Sequence, residues 1–226
     1  MNRLPKSLQW IVWGSVVATI AAIVVAFIIQ QTRQEQNPPD NVETELVATS
    51  PNAPLPVLFA VADFALTNQS GKLVTGSELR GQVWIADIIF TRCAGPCPEM
   101  TRRMAELQSA IPAKSPVRFV SLTADPDHDT PSVLQAYARR FAAQPDRWHF
   151  LTGTKKQIVD LAIDGLKLTA LDKEEAKREN LNDLFIHSTI FVIIDRQGRA
   201  RAVIESDDPS MKLKALAAVQ RLLDEK

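Results

Sequence analysis

The chain has 226 residues, and its 26 basic and 26 acidic side chains give a formal net charge of zero. This balance, with no basic stripe along the sequence, excludes a typical nucleic-acid-binding protein. The sequence contains only two cysteines, which are too few for a disulfide framework and indicate a local redox couple or part of a soft metal site.

A basic N-terminus precedes a long apolar stretch. Residues 1–7 contain Arg3 and Lys6, whereas the next 22 residues, 8–29, carry no charge. That length is sufficient to span a bilayer, and the preceding cations predict a cytoplasmic N-terminus. A cleaved signal peptide is the alternative, but its apolar region would be shorter and would end at a small-residue site. We expect a single-pass anchor in a bacterial inner membrane, because no Arg-rich and Ser-rich transit peptide is present, with the remaining chain facing the periplasm or extracytoplasmic space.

The composition changes after the apolar stretch. Residues 30–56 are rich in Gln, Asn, Thr, Ser and Pro and show no periodic apolar face, which predicts a flexible linker. The following residues, 57–226, are sufficient for one domain with its own core. Within that domain, strand signals at 57–66 and 72–75 flank a turn at 68–71 and predict an N-terminal hairpin.

The domain then alternates between strand and helix signals. Predicted strands cover residues 83–90, 117–122, 148–151, 188–194 and 199–204. Predicted helices cover residues 98–110, a segment capped by Thr130 and started by Pro131, and 210–223. We expect the last helix to direct Leu213, Leu216 and Leu223 toward the core. The alternation predicts an α/β domain with one central sheet and helices on both faces.

Both cysteines lie at the junction between a predicted strand and a predicted helix. Cys93 and Cys97 flank a turn that contains Gly95 and Pro96, and Pro98 is suited to the first turn of the helix. The amides and dipole at a helix N-terminus favour thiolates, the form that attacks disulfides and binds metals. The alternative is that both are small buried hydrophobic residues.

The order of these elements resembles the thioredoxin-like fold, and four motifs are similar to those of the SCO/SenC family, the membrane-anchored copper chaperones of cytochrome oxidase assembly. The resemblance covers residues 57–226. The matching segments, in chain order, are Thr91-Arg-Cys-Ala-Gly-Pro-Cys-Pro98, Ser121-Leu-Thr-Ala-Asp-Pro-Asp-His-Asp-Thr-Pro131, Leu151-Thr-Gly-Thr154 and His187-Ser188.

This resemblance implies a copper site formed by Cys93, Cys97 and His187. The chemistry of these groups is compatible, because thiolates are soft ligands suited to Cu(I) and an added imidazole makes a trigonal site that can also hold Cu(II). Zinc is disfavoured, since a closed structural zinc site requires four ligands. The implied partner is the copper-centre subunit of cytochrome c oxidase or another copper acceptor.

The sequence leaves open whether the protein is an enzyme. The preferred interpretation is a metallochaperone, which needs no turnover of a small substrate. The alternative is a thiol-disulfide oxidoreductase, in which Cys93 and Cys97 act on the copper-site cysteines of the oxidase or on other exported proteins. A thiol peroxidase on the same fold ranks last.

Other polar and sulfur-containing residues have simpler interpretations. His128 and His149 are expected to be structural or solvated, and Met100 and Met104 have the spacing of core residues rather than of copper ligands. The acidic residues of the 125–129 loop lack the pattern of a calcium site and are expected to form a turn before a helix.

Two positions depart from the family pattern. Between the cysteines the family commonly has Pro-Asp and a hydrophobic residue, whereas this chain has Ala94-Gly-Pro96. Before the histidine the family usually carries an aspartate, whereas this chain has Ile186, with Asp183 the nearest acid upstream. The first departure removes an acidic side chain beside the cysteines. The second means that a carboxylate that would orient the imidazole is either missing or supplied from elsewhere in the chain.

Overall fold

The computed structural model describes residue 25 and residues 54–168, 170–172, 185–187 and 189–225. The strands, in chain order, are β1 (Phe59–Ala60), β2 (Ala65–Asn68), β3 (Leu73–Thr75), β4 (Val83–Ile89), β5 (Val117–Thr123), β6 (Trp148–Thr152), β7 (Ala170–Asp172), β8 (Phe185–His187), β9 (Ile190–Ile194) and β10 (Arg199–Glu205). The helices are α1 (Cys97–Ala110), α2 (Pro131–Arg140), α3 (Lys155–Val159, continued by a π-helix over Asp160–Gly165) and α4 (Met211–Asp224).

Eight strands form one mixed sheet in the order β1-β10-β9-β4-β5-β6-β2-β3, and β7 and β8 form a separate antiparallel pair. Strands β4, β5 and β6 are parallel, whereas β9 pairs antiparallel with both β4 and β10. Every residue of β4 is buried, as expected for a central strand covered on both faces. These observations confirm the predicted α/β sheet flanked by helices.

The N-terminal part of the sheet differs from the sequence prediction in one respect. The hairpin is confirmed, with β2 and β3 joined by a turn in which Gly71 adopts φ +74°. The single strand predicted over 57–66 is wrong, because this segment contains two short strands. β1 pairs with β10 at one edge of the sheet, and β2 pairs with β6 near the other. Local residue patterns do not specify an edge, since strand pairing depends on distant residues.

The helix boundaries follow their capping residues closely. The side chain of Thr130 accepts a hydrogen bond from the amide of Val133, and Pro131 is the first residue of α2, as predicted. Helix α1 begins at Cys97, one residue earlier than predicted, because Pro96 already has helical dihedral angles. Its buried residues include Met100 and Met104, which confirms their assignment to the core.

The predicted core face of the last helix is partly wrong. Leu213 is 74% exposed, whereas Leu216 and Leu223 are partly buried against the core. The fully buried positions of α4 are Met211, Ala215, Ala218, Val219 and Leu222. Two of these positions are alanines, and α4 contacts α1 and strands β4, β9 and β10.

The predicted N-terminal elements fall on residues that the structure leaves undescribed. The predicted anchor at 8–29, except residue 25, lies outside the described residues, as do residues 30–53 of the linker predicted over 30–56. Among the residues that are described, no helix has the length and apolar character needed to cross a membrane.

Candidate dithiol site

The two cysteines lie in the connection between β4 and α1. The amide of Cys93 donates a hydrogen bond to the carbonyl of Phe90, 3.2 Å away, and this turn follows directly after β4. Cys97 is the first residue of α1, where Pro96 accepts a hydrogen bond from the amide of Met100. The Cys93 and Cys97 side chains share a hydrogen bond. The fold therefore brings the two predicted thiols together.

The two thiols differ in exposure. Cys97 is fully buried and Cys93 is partly exposed. Burial raises the pKa of the Cys97 thiol well above its usual range, and the hydrogen bond with Cys93 and the negative charge of Asp87 raise it further, while a backbone hydrogen bond from Phe90 opposes the shift. The expectation that the helix N-terminus favours the thiolate is therefore wrong for Cys97, because desolvation outweighs the backbone hydrogen bond from Phe90 that lowers the pKa of this thiol.

A buried polar group behind the cysteines was missed by the sequence prediction. Asp87 lies on β4 and is completely buried. The pKa of the Tyr137 phenol is raised, mainly by burial and further by the charges of Cys97, Asp87 and Cys93. A lone acidic residue within an otherwise apolar buried strand was the available signal, because such a residue is rarely placed there without a specific role.

Helix α2 contacts the first turn of α1 through two hydroxyl groups. Thr101 Oγ1 donates to the Cys97 carbonyl at 2.8 Å and lies 2.9 Å from the Tyr137 hydroxyl oxygen. Thr101 is fully buried and Tyr137 is almost fully buried. This contact connects α2 to the residue that carries the buried thiol.

The acidic loop at 125–129 contacts the residues that precede Cys93. Asp125, His128 and Asp129 place potential ligand atoms within 4.8 Å of one another. These groups are nevertheless occupied by protein contacts, since Asp129 bonds with Thr91 and His128, and Asp125 pairs with Arg92. We therefore assign these groups to holding the loop and not to binding a cation. The predicted turn is confirmed, although its role in the site was not anticipated.

His187, the third predicted ligand, is the last residue of β8 and its backbone is opposite Ala170 of β7. It precedes β9 by only a few residues. Because β9 runs antiparallel to β4, with Trp84 opposite Ile194, the chain enters β9 at the end of the sheet where β4 leads into the cysteine turn. The side chain of His187 lies outside the described part of the protein.

The remaining histidine, His149, lies on β6 and is separated from β4 by β5. Its Nδ1 is 3.5 Å from the side-chain nitrogen of Asn68. Burial lowers the pKa of the His149 imidazole, and the positive charge of Arg118 lowers it further. This residue has the properties of a structural histidine, as predicted.

The residues between the cysteines leave space beside the exposed thiol. A Cβ atom added to Gly95 would lie 3.8 Å from Cys93 Sγ, an ordinary van der Waals contact. The replacement of the family's acidic residue by glycine is therefore not imposed by a steric conflict.

Comparisons with known proteins agree with this arrangement. The SCO1/SenC family model matches residues 56–224. The SCO1 protein homolog of Bacillus subtilis is 34% identical over 146 residues, which covers 64% of this chain and 72% of that protein. The structure of a SCO1/SenC family lipoprotein from Bacillus anthracis superposes with a TM-score of 0.68 and 32% identity, covering 76% of this chain and 100% of the other.

Two further solved structures share the fold. One is BsSco, a member of the Sco family of cytochrome c oxidase assembly proteins in which a disulfide switch was identified, with a TM-score of 0.66, 29% identity and coverage of 77% and 100% of the two chains. The other is Bradyrhizobium japonicum ScoI with copper bound, with a TM-score of 0.61 and 24% identity, covering 72% and 99%. The paired cysteines, the thioredoxin-like sheet and the family match over most of the domain lead to one conclusion: the chain belongs to the SCO1/SenC family.

Proposed function

We propose that this protein binds copper through Cys93, Cys97 and His187 and delivers it to the copper-centre subunit of a respiratory cytochrome c oxidase. The observation that carries this proposal is the hydrogen-bonded pair of thiols at the end of β4. Two thiols held this close supply a dithiolate pair, and soft thiolate ligands select Cu(I). Membership of a family that includes a copper-bound ScoI and an oxidase assembly protein supports both the cargo and the partner.

His187 is the third ligand in this proposal. Its backbone precedes β9, which begins beside the end of β4. An imidazole added to two thiolates completes a trigonal set that accepts either copper oxidation state. Because Cys97 is buried and its pKa is raised, copper must displace a proton from this thiol, and binding is therefore coupled to proton release.

We further place the domain outside the cytosol, anchored to the membrane by residues 8–29. The uncharged length of this segment supports the proposal, and the related Bacillus anthracis protein is a lipoprotein. Proteolysis of spheroplasts tests it, because an exported domain is digested from outside while a cytoplasmic marker is protected. Protection of the domain would contradict this location.

The copper site is tested by titrating the reduced full-length protein, purified in detergent, with Cu(I) against a competing chelator. We expect one Cu(I) per chain. In His187→Ala and in Cys93→Ser we expect a loss of Cu(I) affinity of more than about 100-fold, which is larger than the loss caused by replacing a residue that only orients a ligand. His149→Gln is the matched control, because it removes an imidazole on a different strand. Weak binding that is unchanged in His187→Ala would contradict the three-ligand site.

A second candidate function is thiol-disulfide exchange, favoured by the close contact between a partly exposed and a buried thiol. The Cys93 thiolate attacks a partner disulfide, forms a mixed disulfide and releases one partner thiolate. Cys97 then loses its proton, attacks Cys93 Sγ and releases the second partner thiolate. Two electrons pass to the partner, which becomes a dithiol after protonation, and the Cys93–Cys97 disulfide remains.

His187 distinguishes the two functions. Exchange with a model disulfide such as oxidised glutathione requires Cys93 and Cys97 but no imidazole ligand. We expect His187→Ala to retain exchange within about twofold while losing tight copper binding. Retention of tight copper binding in His187→Ala would show that the imidazole is not a required ligand, whereas exchange by a parent protein that binds copper only weakly would favour the oxidoreductase over the chaperone.

A further inference from the structure

The residue two positions before Cys93 is held by a completely buried carboxylate. Asp129 accepts hydrogen bonds from the Thr91 amide at 3.1 Å and from the Thr91 hydroxyl at 2.5 Å. It also accepts a hydrogen bond from the Thr123 hydroxyl and lies 3.0 Å from His128 Nδ1. Both carboxylate oxygens are therefore engaged, and the group connects the cysteine turn to the end of β5.

The next residue is held by the other aspartate of the same loop. Arg92 donates from Nε at 3.1 Å and from Nη2 at 2.5 Å to one carboxylate oxygen of Asp125, whose side chain is 8% exposed. The Asp125 amide in turn donates to Thr123 Oγ1, and the neighbouring Ala124 amide donates to the Ile89 carbonyl at 2.7 Å. The loop is thus fixed to both β4 and β5.

These contacts form what we call the carboxylate clamp, defined as Asp125 and Asp129 with their partners Arg92 and Thr91. Residues 90–96 lie between β4 and α1, outside both elements. Contacts of the clamp therefore hold a turn that no helix or strand holds. Fixing the backbone of each residue in such a turn costs about 1–2 kcal/mol of conformational entropy. Cys97 is already held by α1, whereas Cys93 is held by the turn that the clamp orders.

We infer that Asp129, acting through Thr91, is a positioning residue that sets the location of Cys93 relative to Cys97 and thereby the properties of the dithiol. The copper part of this inference rests on the proposed function, whereas the thiol part does not. A clamped Cys93 raises the effective concentration of one thiol near the other, which stabilises both a chelated metal and the Cys93–Cys97 disulfide.

The test uses the full-length protein and three substitutions. Asp129→Asn keeps the shape of the side chain but leaves only one oxygen to accept hydrogen bonds. Thr91→Val removes the hydroxyl and leaves the carboxylate intact. Asp127→Asn is the matched control, because it makes the same chemical change at an exposed position of the same loop.

Two equilibrium constants and one stability are measured for each variant. The Cu(I) affinity is obtained by chelator competition, the equilibrium constant of the Cys93–Cys97 disulfide with glutathione by thiol trapping, and the melting temperature of the reduced protein by calorimetry. For Asp129→Asn we expect a 10- to 100-fold lower Cu(I) affinity, of the order seen for residues that orient ligands. We also expect an about tenfold lower disulfide constant, since the effective thiol concentration falls.

Thr91→Val is expected to move both constants in the same direction, and Asp127→Asn to leave both within twofold. The double variant with Thr91→Val and Asp129→Asn is expected to be no worse than Asp129→Asn alone, because residues in one network are not additive. Additive losses would show that Asp129 does not act through Thr91 and would overturn the inference.

A purely structural role gives a different result, in which Asp129→Asn melts at a lower temperature but keeps both constants, and this outcome also overturns the inference. If Asp129→Asn does not fold, the Thr91→Val variant is used for the decision. An unchanged Cu(I) affinity and an unchanged disulfide constant in Thr91→Val would then contradict the inference. If the parent protein binds no Cu(I), the proposed function fails, and the positioning role is then judged on the disulfide constant alone.

Discussion

Cys93 and Cys97 share a hydrogen bond, yet only Cys93 is accessible to solvent. This asymmetry assigns unequal roles to the two thiols. An incoming partner or metal donor meets Cys93 first. Cys97 is reached only after Cys93 has reacted, because it is buried, and burial favours its protonated form.

Alkylation is expected to modify Cys93 before Cys97. With the reduced protein and iodoacetamide near neutral pH, Cys93 should react at least about tenfold faster, because Cys97 is buried and its pKa is raised. Peptide mass spectrometry over a time course measures both rates. Cys97→Ser should keep the fast reaction and Cys93→Ser should lose it. Equal rates at both positions would contradict the asymmetry.

Restoring an acidic residue between the cysteines should slow the chemistry of Cys93. Gly95 has space for a side chain, with Cys93 Sγ as the contact at 3.8 Å. In Gly95→Asp a negative charge lies beside the thiol and disfavours the thiolate, so we expect alkylation about threefold slower than in the uncharged control Gly95→Asn. Rates measured at low and high salt check the cause, because salt screens a partly exposed charge. Identical rates for both variants would exclude an electrostatic effect.

The hydroxyl contact between α1 and α2 should contribute to stability. Tyr137→Phe removes the hydroxyl that lies 2.9 Å from Thr101 Oγ1 in a buried environment. Thr101 keeps its bond to the Cys97 carbonyl, so we expect a loss of only about 1 kcal/mol in the free energy of unfolding. Denaturation followed by tryptophan fluorescence measures it. A loss above about 3 kcal/mol would show that the phenol does more than supply this bond.

A buried ion network at the opposite end of the sheet should make stability depend on acid pH. Arg201 contacts Asp195 at 2.9 Å and Glu225 at 2.8 Å, and it also donates to the carbonyls of Leu55 and Pro56. Burial raises the pKa of Asp195, but hydrogen bonds from neighbouring arginines and backbone amides outweigh it and hold the pKa below its ordinary value.

Asp195 therefore contributes stability that is present above about pH 4 and is lost as the pH falls through its lower folded pKa. For Asp195→Asn we expect the free energy of unfolding near neutral pH to fall by about 2 kcal/mol. Breaking a buried ion pair usually costs about 3–5 kcal/mol, and the loss here is smaller because Glu225 still contacts Arg201. The difference from the parent protein should shrink below pH 4. The exposed Asp207→Asn is the control, and a pH-independent difference would contradict this assignment.

The local sequence was sufficient for the elements that depend on short-range chemistry. The cysteine turn, the hairpin turn at Gly71, the helix start at Thr130 and the buried strand β4 were all predictable, because capping, positive φ angles and apolar runs are properties of neighbouring residues. The family motifs added the expectation of a thioredoxin-like copper protein, and the family assignment was confirmed.

Tertiary structure decided the relationships between distant residues. It separated β1 from β2, exposed Leu213, buried Cys97 and placed Asp129 against Thr91, 38 positions away. None of these followed from residue type, because strand pairing, desolvation and hydrogen bonding between loops depend on which surfaces meet after folding. The sequence determined that two thiols lie at a helix start, and only the packing around them decided that one is buried, the other accessible and both closely held.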